Sequence, residues 1–159
     1  IIKESNCMKL SFMVCLLLFV GCQSQKSKSE DVSGSAVLQR VECDKAICLQ
    51  LVNHDIHKKS FDVYLKNSTS IAGFQCDFPG VKILSADGGL LKENEYQTSN
   101  SDSRILSFSM QAKQIPVGEG ILTTIFYSDP LEKVCMTKII FAGVGGEQLS
   151  NNEPDCLTF

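Results

Sequence analysis

The stretch Ser60-Phe61-Asp62-Val63-Tyr64-Leu65 decides the fold. Phe61, Val63 and Leu65 alternate with Asp62 and Tyr64, and a two-residue period belongs to an extended strand with one dry face and one wet face. A helix would instead place apolar residues three and four apart. From Ala36 onward no stretch keeps that spacing over three turns. Downstream, residues 71–78 repeat the theme, with Phe74, Cys76 and Phe78 on one face and Gln75 and Asp77 on the other. Further candidate strands cover residues 37–41, 47–52, 81–85, 96–99, 105–110, 121–127 and 134–141. In the sixth of these nine segments along the chain, 96–99, Tyr96 is the aromatic member. In the seventh, Leu106, Phe108 and Met110 alternate with Ser107 and Ser109, which puts the apolar three on the inward side. Residues 121–127 are apolar on both faces, as in a central strand or one that carries a bulge.

Short strands at this density, punctuated by Gly, Asn, Asp and Ser, imply an all-β chain: an antiparallel two-sheet β-sandwich of about nine strands. Asp87-Gly88-Gly89 and Pro116-Val117-Gly118-Glu119-Gly120 supply the positive-φ positions of tight connections. Gly143-Val144-Gly145-Gly146 has the glycines of a phosphate loop. It lacks the Lys-Ser/Thr pair and the amphipathic helix that make such a loop work, so it reads as a turn.

The chain has 159 residues, room for one ordinary domain. Hydrophobic residues make up 43% and charged residues 21%, the balance of a globular body and not of a disordered chain. Lys+Arg number 15 against 18 Asp+Glu, and no basic cluster tracks phosphates, so nucleic acid is not an expected partner.

The N-terminal region reads as an address. Met8 and Lys9 precede an uncharged run from Leu10 to Gly21, too short for the roughly 20 residues of a spanning helix and of the length of a signal-peptide core. Phe19-Val20-Gly21-Cys22 resembles the bacterial lipobox, with Phe19 where Leu is usual, and the resemblance makes Cys22 the lipid-attachment residue. The expected organisation is an upstream extension at 1–7, a signal peptide at 8–21, a lipid-anchored Ser-rich linker at 22–35 and the β-sandwich domain at 36–159. The expected location is the cell envelope as a membrane-anchored lipoprotein, with secretion as the alternative. The polar linker reaches on the order of 20 Å as a flexible coil.

Five strings carry a family resemblance: IAGFQCDF (71–78), VKILSADGG (81–89), ILSFSM (105–110), IPVGEGILTTIFY (115–127) and VCMTKIIFAGVGG (134–146). In this order they resemble the cohesin-like modules of secreted bacterial proteins, over about residues 46–149. Cys76 stands where Phe is common in such modules and Ser107 where Gly is usual. The resemblance implies a nine-stranded jelly roll. It also implies a binding role, since cohesins bind dockerin domains and related sugar-binding modules grip polysaccharide.

Residues with catalytic or ligating chemistry are sparse. Both histidines lie in Asn53-His54-Asp55-Ile56-His57-Lys58-Lys59. His54, Asp55 and His57 are the only metal-ligand cluster in sight, but a strong site has a third and fourth ligand with ordered support, and two lysines adjoin. The stretch reads as a solvated turn, with no metal and no cofactor. No Ser occupies a Gly-x-Ser-x-Gly elbow, and no enzymatic activity is expected. Cys43, Cys48, Cys76, Cys135 and Cys156 follow Cys22, and five thiols in an oxidising space allow at most two bridges. Cys43 and Cys48 flank a short connection and are the favoured pair. Cys76, on the face of Phe74 and Phe78, reads as a small buried hydrophobe. Sugar platforms stack rings on Trp and Tyr. Here there is no Trp and only three Tyr, of which Tyr127 faces inward and Tyr64 and Tyr96 remain for the surface. Asn67-Ser68-Thr69 matches a glycosylation acceptor. The reading that results is a non-catalytic, surface-anchored module engaging a protein partner, dockerin-like or another surface protein, in adhesion or scaffolding. A polysaccharide-binding module is the alternative.

Overall fold

A computed structural model describes residues 43–159. The expectations for the 1–7 extension, the 8–21 signal, Cys22, the 22–35 linker and the strand at 37–41 lie outside the described residues. The elements are β1 (Ile47–Asp55), β2 (Ser60–Asn67), β3 (Gly73–Asp77), β4 (Ile83–Asp87), α1 (Gly89–Glu93), β5 (Gln97–Asn100), β6 (Arg104–Phe108), β7 (Gly118–Tyr127), β8 (Lys133–Val134), β9 (Thr137–Ala142), β10 (Gln148–Leu149) and β11 (Leu157–Thr158). Nine strands form two sheets, β1-β2-β7-β4 and β10-β9-β3-β6-β5, while β8 and β11 pair in a small ribbon. All these pairings are antiparallel. The fold is an all-β sandwich.

Alternation explains which faces meet. Phe61, Val63 and Leu65 of β2 are fully buried, and opposite them Phe74 and Cys76 of β3 enter the same core. The rings of Phe61 and Phe78 lie 5.5 Å apart, and Phe74 stacks on Phe141 at 4.8 Å. Each such side chain contributes about 1.5–3 kcal/mol by leaving water. β7 is central and also carries a bulge: Val63 faces Thr123 and Tyr64 faces Ile121, so Leu122 has no partner of its own. The extra residue turns both Leu122 and Thr123 inward, and both are fully buried.

Three expectations change, and a short helix appears where the sequence reading placed no element. The strand expected over 134–141 is two strands, because Val134 pairs with β11 whereas Thr137 and the residues after it pair with β3. A short helix, α1, follows the Asp87-Gly88-Gly89 turn and sends Leu91 into the core. Gly89 has φ +62°, and a Cβ there would collide with the carbonyls of Ile121 and Leu122, so only glycine fits this approach. Tyr96, read as a surface ring, is buried, and its hydroxyl donates to the Ile71 carbonyl at 2.6 Å.

The third correction is the largest. β6 has the opposite phase to that expected: Ile105 and Ser107 are fully buried, whereas Leu106 is 42% and Phe108 41% exposed. The cause is the register with β3, where Cys76 faces Ile105 and Phe74 faces Ser107. Directly opposed residues in a ladder point to the same side of the sheet, so the inward Phe74 and Cys76 dictate which β6 residues go inward. Ser107 tolerates burial because its hydroxyl meets that of Thr98 at 2.7 Å.

Candidate functional site

The outer face of the five-stranded sheet holds the site. Its strands stack side chains into three rows. Phe108, Gly73 and Ala142 form the first, Leu106, Gln75 and Ile140 the second, and Arg104 and Asp77 the third. Ile140 is 41% exposed and Met110, just beyond β6, is 71% exposed. Leu106 and Phe108 are successive outward residues of β6 and Ile140 lies across Gln75 from Leu106, so three exposed apolar side chains share a patch interrupted by one amide, carried by strands whose other faces are locked in the core. Single exposed apolar side chains are ordinary on a surface, whereas several on one rigid sheet face make that face the candidate interaction site.

A charged group closes one end of the patch. Arg104 donates through Nε and Nη2 to Asp77 Oδ1 and Oδ2 at 2.5 and 2.8 Å. Lys138 Nζ lies 3.3 Å from Asp77 Oδ2. Lys138 reaches it because β9 carries a bulge, with Gln75 facing Ile140 but Asp77 facing Thr137, and Lys138 takes φ +48°. The hydrogen bonds from Arg104, helped by Lys138, hold the Asp77 carboxyl at about 2, well below the usual carboxylate range. Two cations thus share one carboxylate, and their side chains stay 46% and 70% exposed. The end of the patch carries net positive charge.

The residues singled out by sequence are dispersed. His54 stacks on Phe159 with centroids 3.5 Å apart, and its Nε2 lies 2.6 Å from the Tyr127 hydroxyl. Burial lowers the His54 pKa, and the nearby Asp55 charge opposes that shift. Asp55 instead accepts the backbone N–H groups of His57 and Lys58 at 3.0 and 2.9 Å, and these bonds, the one from Lys58 foremost, depress its pKa. Among the described residues no three His, Cys, Asp or Glu side chains group around a point where a metal could sit. Cys43 is bonded to Cys48 and Cys135 to Cys156, while Cys76 is a buried free thiol whose pKa burial pushes up. Asn67 is buried, and its amide donates to the carbonyls of Thr69 and Pro116 at 2.8 and 2.9 Å. That amide is engaged in the folded chain, so the acceptor motif has no free nitrogen to offer. Of the tyrosines only Tyr64 keeps an outward position, half-buried on the four-stranded sheet.

Alternation alone does not reveal the patch, because it places Leu106, Phe108 and Met110 on the inward side. A usable signal was present: Arg104-Ile105-Leu106-Ser107-Phe108 has apolar residues at both phases, so one of them had to face outward.

No family model matches the chain, and no curated protein matches it. Similar solved structures include a chain of the CaDoc0917–CaCohA2 complex crystallised at pH 5.5, at 10% identity, covering 69% of this chain and 95% of that one with a TM-score of 0.46. A non-cellulosomal cohesin from the hyperthermophilic archaeon Archaeoglobus fulgidus is also similar, at 11% identity, with coverages of 70% and 87% and a TM-score of 0.47.

Proposed function

We propose that the chain is a non-catalytic binding module that engages a protein partner through the outer face of the five-stranded sheet, held at the cell envelope by a lipid on Cys22. The observation that carries the reading is the exposure of Leu106 and Phe108 in succession along β6, with Ile140 exposed on the same face across Gln75. Protein interfaces concentrate their energy in a few apolar anchors on a stiff surface, ringed by polar groups. Arg104 and Lys138 supply the polar end and select a partner with a carboxylate beside its own apolar contact. The resemblance of the five strings to cohesin-like modules points the same way.

The test compares the native chain with a Leu106→Asp/Phe108→Asp variant, both immobilised, for capture of proteins from the source cells. A binding module of this kind retains a partner on the native chain and loses it on the folded variant. Equal retention by both would end the assignment of this face. Mass spectrometry of the mature N-terminus tests the anchor, with a diacylated Cys22 as the expected result.

The carbohydrate reading has one observation in its favour. A cleft of about 380 Å³ on the four-stranded sheet is lined by Phe126 together with Asn53, Asp62 and Thr124, a ring beside fixed hydrogen-bonding groups. Retention of the native chain on a glycan panel, lost on Phe126→Ala, would move the assignment there.

A further inference from the structure

Residues 147–159 run past the edges of both sheets, with Leu149 and Leu157 packed half-buried against the core. Not one of the segment's side chains is fully buried. The segment is held at its periphery. Gln148 and Leu149 of β10 pair with β9, Leu157 and Thr158 of β11 pair with β8, and Cys156 is bonded to Cys135. Between them, residues 150–152 lie parallel beside the edge strand β1. Ile47 N–H donates to the Ser150 carbonyl at 3.0 Å, and Asn152 N–H donates to the Ile47 carbonyl at 3.1 Å. Asn152 then uses its side chain on Leu49, accepting its N–H at 2.7 Å and donating to its carbonyl at 3.0 Å. The segment leaves the body of the fold through Gly143-Val144-Gly145-Gly146, where Gly146 has φ +82°.

We infer that the edge of β1 is a strand-acceptor site, and that a second copy of this chain can fill it with the same segment, giving a strand-exchanged dimer. Exchange of an identical element remakes each of these bonds between copies, so the cost is confined to the hinge and to the loss of independent motion. The glycine-rich turn is the hinge, because glycine adopts the extended and the turned form alike. No side chain of the segment is fully buried, so its leaving uncovers only the partial contacts of Leu149 and Leu157 with the core and of Phe159 with His54, all of which the second copy restores. The Cys135–Cys156 bond is the lock: closed within one chain it holds the monomer, and closed between chains it records the exchange.

Mixing labels in the intact protein tests this. Equal amounts of ordinary and ¹⁵N-labelled full chain are reduced at high concentration with a dithiol, which takes up the bond as two protein thiols and becomes a cyclic disulfide. They are then reoxidised by glutathione disulfide, which leaves as two glutathione thiols. Exchange predicts a dimer in which about half of the Cys135–Cys156 linked peptides carry one light and one heavy partner. Linked peptides of a single label throughout would overturn the inference. Should the reduced chain fail to refold, Cys135→Ala/Cys156→Ala made without any reduction step gives a second readout. Its dimer fraction in light scattering must rise with concentration, and a folded variant that stays monomeric at every concentration would equally overturn it.

Discussion

The carboxamide of Asn152 serves Leu49 as a strand would, accepting its backbone N–H and donating to its backbone carbonyl. Leu49 is fully buried by its side chain, but its backbone lies at the sheet edge, where unpaired groups invite other strands. One side chain therefore completes a ladder from 103 residues away.

Asn152→Ala should destabilise the fold by about 1–3 kcal/mol, since two backbone groups lose partners at once. Hydrogen exchange at the Leu49 amide should accelerate more than at Val63, deep in β2. Unchanged protection at Leu49 would show that the contact adds nothing.

Phe74 and Gln75 are neighbours with opposite surroundings. Phe74→Asp puts a carboxylate into a dry layer against Phe141 and should abolish folding. Gln75→Asp, on the outer face between Leu106 and Ile140, should change stability by no more than about 0.5 kcal/mol. On the proposed binding role it should nevertheless weaken partner capture, by setting a charge between Leu106 and Ile140. Thermal melts of the two variants check the assignment of faces, which fails if they behave alike.

Leu106→Asp/Phe108→Asp should keep the native melting profile, because both side chains already meet water. If the double variant unfolds, the β6 phase described above is wrong.

Asp77 sets an acid limit. Its folded pKa, about 2, lies below the unfolded value of 3.8. The stabilisation from this group is therefore complete above about pH 4 and is lost as pH falls through 2. Arg104→Ala removes the larger cause, so the Asp77 carboxyl should titrate higher in a carbon-detected NMR titration. A carboxyl that stays at the native position would assign the shift to Lys138 instead.

Tyr96→Phe should cost about 0.5–1.5 kcal/mol and no more, because the Ile71 carbonyl keeps the Ile115 N–H at 2.9 Å after the hydroxyl is gone. Chemical denaturation measures it. A loss of several kcal/mol would mean that the ring shifts as well.

What the amino-acid order determined unaided is local. The phases of β2 and β3 were legible because apolar and polar residues alternate there without conflict, and two strands of settled phase suffice to require a second layer. The bulge in β7 was legible as one of two options, from an apolar run too long for a single face. Tertiary structure decided whatever depends on a partner. Ile105, Leu106 and Phe108 are all apolar, so hydrophobicity cannot rank the two phases of β6, and the ladder with β3 makes the choice. The same ladder brings Arg104 to Asp77, and a bulge in β9 adds Lys138. Asn152 meets Leu49 only because the chain returns to the edge of β1. Alternation records how a strand divides its own side chains between two sides, whereas register records which strand lies next to it. Register is a property of two segments at once.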